Sequence, residues 1–258
     1  MNTPDCAILG MGYLGRPLAE KFFEQGSHVS ALKRHITSDD INLPIDLHAA
    51  DLNQAAAFQA NFWPTWADKP VWFCLLPPSA VNQYADALAA WLALAEQYGI
   101  GHIVYSSSTG VYGNEVRECS EHSTPNPHTE STRKVWQAEQ LFLNSSIENI
   151  DILRFGGLYS IERHPLNSLL KRRQIAGAHQ PVNVIHQSRA VEALHYAACT
   201  PNGRRIRNIV ENRHPPKQQF YQHEAAKLGL PEADFAPDDD SSGKIVTTVY
   251  HDFAHFLA

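Results

Sequence analysis

The sequence predicts an α/β protein with a doubly wound parallel sheet, and two patterns carry this prediction. Short, almost continuously apolar runs alternate with amphipathic stretches, which is the order of strands and helices in a parallel sheet covered on both faces. The first strand and the first helix are joined by a glycine-rich segment, GMGYLG, at residues 10–15. A glycine-rich turn between a strand and a helix is typical of a Rossmann-type fold.

The glycine-rich segment predicts a binding site for a dinucleotide. Gly10 permits a tight turn, Gly12 lets the backbone approach a pyrophosphate, and Gly15 lets the helix pack closely on the strand. The phosphates would meet free N–H groups at a helix N-terminus, where the helix dipole favours negative charge. We expect Tyr13 and Leu14, which lie between these glycines, to contact the cofactor as well. The alternative is a glycine turn that binds nothing.

The predicted second strand, residues 27–32, is followed by cations. In an NAD site an acidic residue about 20 residues after the glycines binds the ribose hydroxyls. Lys33 and Arg34 stand there instead. Because such a pair attracts a 2′-phosphate, the sequence favours NADP(H) as the cofactor over NAD(H), which is the second choice. The alternative is that both cations are solvated at the strand end.

A third strand is predicted at residues 45–52, and it ends in Asp51 and Leu52. In a doubly wound sheet this strand end lies beside the adenine, so both residues are candidate cofactor contacts. The following segment, residues 61–70, carries two tryptophans and two prolines. We interpret it as a packed loop rather than a ligand site.

The second half of the predicted sheet begins with residues 71–76, a nearly continuous apolar run that fits a central parallel strand. Leu76 and Pro77 close this strand and are expected to contact the cofactor. Residues 79–98 repeat apolar side chains at helical spacing, and residues 102–105 form the next strand. The alternation of strands and helices therefore continues through the first hundred residues.

Composition and charge exclude several other classes of protein. With 21 basic and 27 acidic residues the net charge is -6, and no long basic run suits nucleic acid as a partner. No apolar run reaches the roughly 18 residues that a membrane span needs. The four cysteines are scattered without C-x-x-C spacing, so we expect neither a metal site nor disulfides. The first strand starts too early to leave room for a signal peptide, and we expect a reduced, cytoplasmic protein.

A family resemblance is visible in the fifth strand and beyond. Residues 103–113, IVYSSSTGVYG, resemble the fifth strand of extended short-chain dehydrogenases/reductases of the nucleoside-diphosphate-sugar epimerase/dehydratase group. Residues 153–159, LRFGGLY, look like their sixth strand and turn. Residues 182–186 and 208–210 resemble two later segments. The match spans about residues 5–210 and is closest in character to the YeeZ-like branch of this group.

The resemblance implies catalysis by a Ser, a Tyr and a Lys. In the family the Tyr is the general acid/base, the Lys lowers its pKa and holds the ribose, and the Ser polarises the substrate oxygen. Ser108 matches the Ser, but alignment on Glu139 places Ser131 at the Tyr position and Val135 at the Lys position. Neither residue can replace its counterpart, because valine does not titrate and an unassisted serine hydroxyl is too weak an acid. His128 is the candidate replacement acid, and a solvated loop histidine is the alternative.

The ligand is expected outside the carboxyl ends of the strands, where Ser106 and Phe155 are further candidate cofactor contacts. The resemblance implies an NADP(H)-binding oxidoreductase- or epimerase-like protein that acts on a sugar nucleotide or a similar polar substrate. It also implies a homodimer formed by the helices at residues 79–98 and 131–144. The alternative function is a non-catalytic dinucleotide sensor, because the glycine loop is kept while the Tyr and Lys are replaced.

The expected domain organisation has two parts. Residues 1–160 form the dinucleotide-binding domain, and residues 182–210 return to it. Residues 161–181 and 211–258 form a small C-terminal substrate lobe. Within this lobe we predict a helix from Phe220 to Leu230 and a polar loop at residues 238–243.

Overall fold

The structure is a computed structural model that describes residues 3–237, 239 and 241–258. Within these residues the strands are β1 (Cys6–Leu9), β2 (Val29–Lys33), β3 (Asp46–Ala49), β4 (Val71–Cys74), β5 (His102–Ser108), β6 (Glu118–Cys119), β7 (Asn149–Phe155), β8 (Gly157–Tyr159), β9 (Val184–His186), β10 (Arg204–Ile209) and β11 (Ile245–Val246). The α-helices are α1 (Gly15–Glu24), α2 (Tyr84–Gln97), α3 (Glu130–Leu143), α4 (Leu166–Leu169), α5 (Gln187–Cys199) and α6 (Lys217–Leu228).

The centre of the molecule is a parallel sheet with the strand order β10-β7-β5-β4-β1-β2-β3. Every residue of β1 and β4 is buried, which explains their unbroken apolar sequences. Helices α2 and α3 cover one face with Leu88, Trp91 and Phe142. Helices α1 and α5 cover the other face, where Phe22 and Leu194 are buried. The predicted Rossmann-type doubly wound sheet is therefore confirmed.

Some predicted element boundaries are wrong. Helix α2 begins at Tyr84 rather than at residue 79, because Pro78–Ala80 forms a 3₁₀ turn and Val81 is extended, with φ −138°. Helix α6 begins at Lys217, before the predicted Phe220, and ends at Leu228, before the predicted Leu230, because Gly229 adopts the left-handed region at φ 64°.

The tryptophan-rich segment after the third strand packs into the core. Trp63 and Trp66 are 1% and 0% exposed and lie in a 3₁₀ helix. The Trp63 indole N–H donates to the Ala57 carbonyl at 2.8 Å, and the Trp72 indole N–H donates to the Trp66 carbonyl at 3.0 Å. These contacts agree with a packed loop that contributes to one face of the sheet rather than to a ligand site.

A smaller core lies under the C-terminal part of the chain, where α4 and α6 bury Leu166, Leu169, Phe220 and Ala225. Strands β8 and β9 pair with each other beside this core, and β6 pairs with β11. Residues 238 and 240 of the predicted polar loop lie outside the described residues. The division into two domains remains a prediction.

Candidate functional site

A cavity of about 1160 Å³ opens at the carboxyl ends of the central strands. It lies where the chain order reverses, because β1 has β2 on one side and β4 on the other. Open α/β sheets bind ligands at this position. The cavity is lined by these residues of the predicted site: Gly10, Gly12, Tyr13, Leu14, Lys33, Arg34, Leu52, Leu76, Pro77, Ser106, Ser108 and Phe155.

The three glycines of the first turn have different structural roles. Gly10 has φ +104°, and a Cβ added to it would come within 2.9 Å of the Leu75 carbonyl carbon. A Cβ on Gly15 would lie 2.1 Å from the Gly10 oxygen, so Gly15 allows α1 to pack against the turn without itself lining the cavity. A Cβ on Gly12 would have no atom within 4 Å. Gly12 therefore presents bare backbone to open space in the cavity.

The end of β2 carries cations that are already engaged. The Lys33 ammonium lies 2.5 Å from Oδ2 of Asp40, which is only 2% exposed. Arg34 is less tightly held, because its Nε lies 3.6 Å from Oδ1 of Asp51 and its side chain is exposed. Asp51 is absent from the cavity lining, and its pKa is lowered mainly by the backbone N–H of Asn53. Its predicted contact with the adenine remains a prediction.

The predicted catalytic residues are not all brought together. Ser108 lines the cavity, and its Oγ accepts a hydrogen bond from the Gly110 N–H at 3.0 Å. Helix α3 contributes Val135 to the described lining, whereas Ser131 is exposed in the first turn of α3 and is not part of it. His128 is also exposed and lies against Gly113, where an added Cβ would be 2.8 Å from its Nε2. The roles of Ser131 and His128 remain predictions.

Comparison with known proteins finds a curated relative and solved structures with a similar fold. No protein-family model matches the chain. It is 29% identical over 249 residues to Protein YeeZ of Escherichia coli strain K12, covering 93% of this chain and 90% of that protein. Among solved structures, MoeE5 in complex with UDP-glucose and NAD has a TM-score of 0.78 at 20% identity and covers 98% of this chain and 92% of its own. A UDP-glucuronic acid 4-epimerase from Bacillus cereus in complex with NAD has a TM-score of 0.77 at 14% identity, covering 98% and 96%.

The chain has the fold of the sugar-nucleotide epimerases and dehydratases. The resemblance inferred from the glycine loop and from residues 103–113 is thereby confirmed. Within this fold the cavity described above occupies the crevice at the strand ends, and two features of its walls depend on contacts between residues far apart in the sequence.

The first feature is a buried polar network behind Ser107, which lines the cavity. The Ser107 hydroxyl donates to Glu139, and Arg154 binds the same carboxylate through Nε at 2.8 Å and a second nitrogen at 2.6 Å. The remaining arginine nitrogen donates to the Tyr112 hydroxyl at 2.8 Å, which in turn donates to Asn208 at 2.9 Å. The network fixes β5, α3 and β7 relative to one another at the cavity floor.

The second feature is the loop at residues 160–165, which brings Arg163 to the cavity wall. Its guanidinium carbon lies 5.0 Å from the centre of the Tyr13 ring. In the part of the chain that the structure describes, no carboxylate lies within 4 Å of this guanidinium. The Tyr13 hydroxyl is buried without a hydrogen-bond partner among these residues. Burial raises the pKa of this phenol, while the nearby Ser160 hydroxyl and then Arg163 act in the opposite direction.

None of the helices in the described ranges could span a bilayer. Those same residues contain no group of three His, Cys, Asp or Glu side chains that could hold a metal ion. Of the four cysteines, Cys6, Cys74 and Cys119 are buried and unpaired. Burial raises the pKa of the Cys74 thiol to about 12, which makes it unsuited to act as a nucleophile.

Proposed function

We propose that the chain binds a nicotinamide dinucleotide in the cavity and acts as an oxidoreductase- or epimerase-like protein on a sugar nucleotide or a similar polar substrate. The observation that carries the proposal is the bare backbone of Gly12 beside the N-terminal end of α1. Only a glycine lets a pyrophosphate approach the backbone this closely, and the helix end supplies free N–H groups.

The surrounding residues fit such a cofactor. Gly10 and Leu14 would flank the pyrophosphate, Leu52 and Leu76 would offer apolar surface to the adenine half, and Phe155 would be a further apolar contact for the cofactor. When bound, a nicotinamide ring supplies hydride transfer to or from a carbinol carbon. NADP(H) is favoured over NAD(H), since Lys33 and Arg34 line the cavity where a 2′-phosphate would lie.

The substrate half of the cavity offers a hydroxyl and a cation. Ser108 can donate its hydroxyl proton to a substrate oxygen, since its Oγ accepts but does not donate in the described network. Arg163 can bind an anionic group because no carboxylate neutralises it among the described residues. The solved structure of MoeE5 contains UDP-glucose, and a second one contains UDP-glucuronic acid, which supports a sugar nucleotide as the substrate here.

The proton donor of the family is replaced in this proposal. We infer that the Tyr-x-x-x-Lys pair of the family is lacking, because α3 presents Val135 to the cavity where the family has its Lys. His128 or a water molecule would then carry the proton. This same valine favours the second candidate function, a non-catalytic dinucleotide sensor. Oxidation of NADPH that depends on an added sugar nucleotide would exclude the sensor.

The experiment is a calorimetric titration with NADPH and NADH of the wild type and two glycine variants. In Gly12→Ala the added methyl touches no protein atom but occupies the space of the pyrophosphate, so affinity should fall at least about tenfold. Gly101→Ala is the matched control, since a Cβ there also meets no atom within 4 Å and the residue lies outside the cavity. Equal binding by all three proteins would refute the site.

The predicted homodimer and the cytoplasmic location remain proposals. A groove between α2 and α3 is lined by Ala89, Leu92 and Leu141, with polar residues at its edges. This is the surface through which the resemblance implies association. Light scattering after gel filtration would distinguish a dimer from a monomer.

A further inference from the structure

Asp40 is an unusual carboxylate for the rim of a dinucleotide cavity. It lies in the 3₁₀ turn Ser38–Asp40 after β2 and is only 2% exposed. Its Oδ2 accepts from the Lys33 ammonium at 2.5 Å, the Thr37 N–H at 2.8 Å and the Thr37 hydroxyl at 2.7 Å. Arg16 approaches its Oδ1 at 3.4 Å. The hydrogen bond from Lys33 is the main reason that the pKa of Asp40 falls to about 2, so the carboxylate is charged at neutral pH.

This contact changes what Lys33 can offer a ligand. An ammonium in contact with a buried carboxylate acts as a dipole rather than as a net positive charge. A phosphate in the cavity would therefore be attracted less strongly by Lys33, because the negative charge of Asp40 lies 2.5 Å from the Lys33 ammonium and opposes it. The same carboxylate also holds Arg16, which pairs in addition with Glu20 at 3.1 Å.

Arg34 is placed differently. The shortest contact of its guanidinium with Asp51 is from Nε to Oδ1 at 3.6 Å, and the side chain is 43% exposed at the cavity rim. Among the described residues its guanidinium donates no hydrogen bond to a protein acceptor, and its shortest contact with a carboxylate is that with Asp51. A planar fork of this kind binds a phosphate through two parallel hydrogen bonds.

We propose that Asp40 sets the cofactor selectivity of the cavity by neutralising Lys33, which leaves Arg34 as the cation that binds a 2′-phosphate. The consequence is a moderate preference in which phosphorylated and unphosphorylated dinucleotides both bind. Asp40 acts through Lys33 and is thus a positioning residue. The inference rests on the proposed function, because it requires a dinucleotide in this cavity.

The test uses 2′,5′-ADP and 5′-AMP as probes in calorimetric titrations, since they differ in the 2′-phosphate alone. Asp40→Asn keeps the shape and an acceptor for Lys33 but removes the charge, so binding of 2′,5′-ADP should tighten about tenfold. Binding of 5′-AMP should change by less than about twofold. Asp39→Asn is the matched control, because this exposed neighbour lies in the same turn and makes no contact with Lys33.

Substitutions of Lys33 and Arg34 measure how much each cation contributes to binding of the 2′-phosphate. Arg34→Met should weaken 2′,5′-ADP about tenfold, whereas Lys33→Met should weaken it less than about threefold. In the Asp40→Asn background, Lys33→Met should abolish the gained affinity, which a merely structural role of Asp40 would not produce. If Asp40→Asn fails to fold, the relative effects of Lys33→Met and Arg34→Met on the folded wild-type background decide the question.

The outcomes distinguish a failure of dinucleotide binding in the cavity from a failure of the role proposed for Asp40. If neither probe binds the wild type, the proposed function is wrong and this inference fails with it. If both probes bind but Asp40→Asn matches the wild type, or Lys33→Met is as damaging as Arg34→Met, only the role of Asp40 is overturned.

Discussion

Replacing Arg154 tests how strongly the fold depends on the polar network behind the cavity. Arg154 and Glu139 are 1% and 0% exposed, and Arg154 donates two hydrogen bonds to the Glu139 carboxylate. In Arg154→Met, the carboxylate keeps the Ser107 hydroxyl as its partner but loses the opposing charge. An uncompensated buried charge of this kind costs about 3–5 kcal/mol of unfolding free energy. Because proteins of this size are stable by only about 5–15 kcal/mol, the loss should be large.

The double variant Glu139→Leu/Arg154→Met should be more stable than either single variant. Apolar side chains of similar volume remove both charges, and the remaining cost is about 1 kcal/mol for each hydroxyl that loses a partner, those of Ser107 and Tyr112. Arg173→Met is the matched control, since the Arg173 side chain is 88% exposed, and its ion pair should contribute about 0–1 kcal/mol.

Urea unfolding followed by far-ultraviolet circular dichroism measures the free energies of the wild type, the two single variants, the double variant and the control by linear extrapolation. The reasoning is refuted if Arg154→Met loses less than about 1 kcal/mol, or if the double variant loses the sum of the two single losses. Additivity would mean that the two side chains do not interact in the folded protein.

Two further predictions concern stability. Tyr13→Phe should raise the unfolding free energy by about 1 kcal/mol, because the Tyr13 hydroxyl is buried without a partner, whereas Tyr112→Phe should lower it, since that hydroxyl bonds both Arg154 and Asn208. Urea unfolding of both variants checks this, and a loss in Tyr13→Phe would contradict it. The pKa of Asp40 is about 2 in the folded protein against an ordinary 3.8, so its stabilisation is complete above about pH 4 and is lost as the pH falls toward 2. The difference in stability between wild type and Asp40→Asn should shrink over that range, and a difference that grows on acidification would refute this assignment.

The parts of the fold that the sequence predicts well are those specified by neighbouring residues. The glycine turn at residues 10–15 and the buried strands β1 and β4 each carry their signal within a few positions. Boundaries were harder, since Pro77 and Pro78 in front of α2 could have begun the helix or, as observed, a separate 3₁₀ turn before it.

The candidate site was predictable to the extent that it is built from strand ends, because parallel strands place their carboxyl ends at one edge. Lys33 and Arg34 could be assigned to the cavity in this way, but the state of their charges could not. Asp40 lies in a polar turn whose sequence gives no sign that it folds back and becomes buried against Lys33. Likewise Arg163 reaches Tyr13 across about 150 residues of sequence, and no local pattern encodes such a contact.

The cluster of indole rings on the α2 face has a spectroscopic consequence. The ring centres of Trp63 and Trp66 lie 5.0 Å apart, those of Trp66 and Trp72 5.2 Å, and those of Trp72 and Trp91 5.5 Å, with interplanar angles from 42° to 90°. Transition dipoles this close and this strongly inclined couple as excitons, so the folded chain should show a split circular dichroism band of opposite signs in the indole region. Because the rings come from the 3₁₀ helix Trp63–Trp66, from β4 and from α2, the couplet marks native packing of that face independently of whether the cavity is occupied.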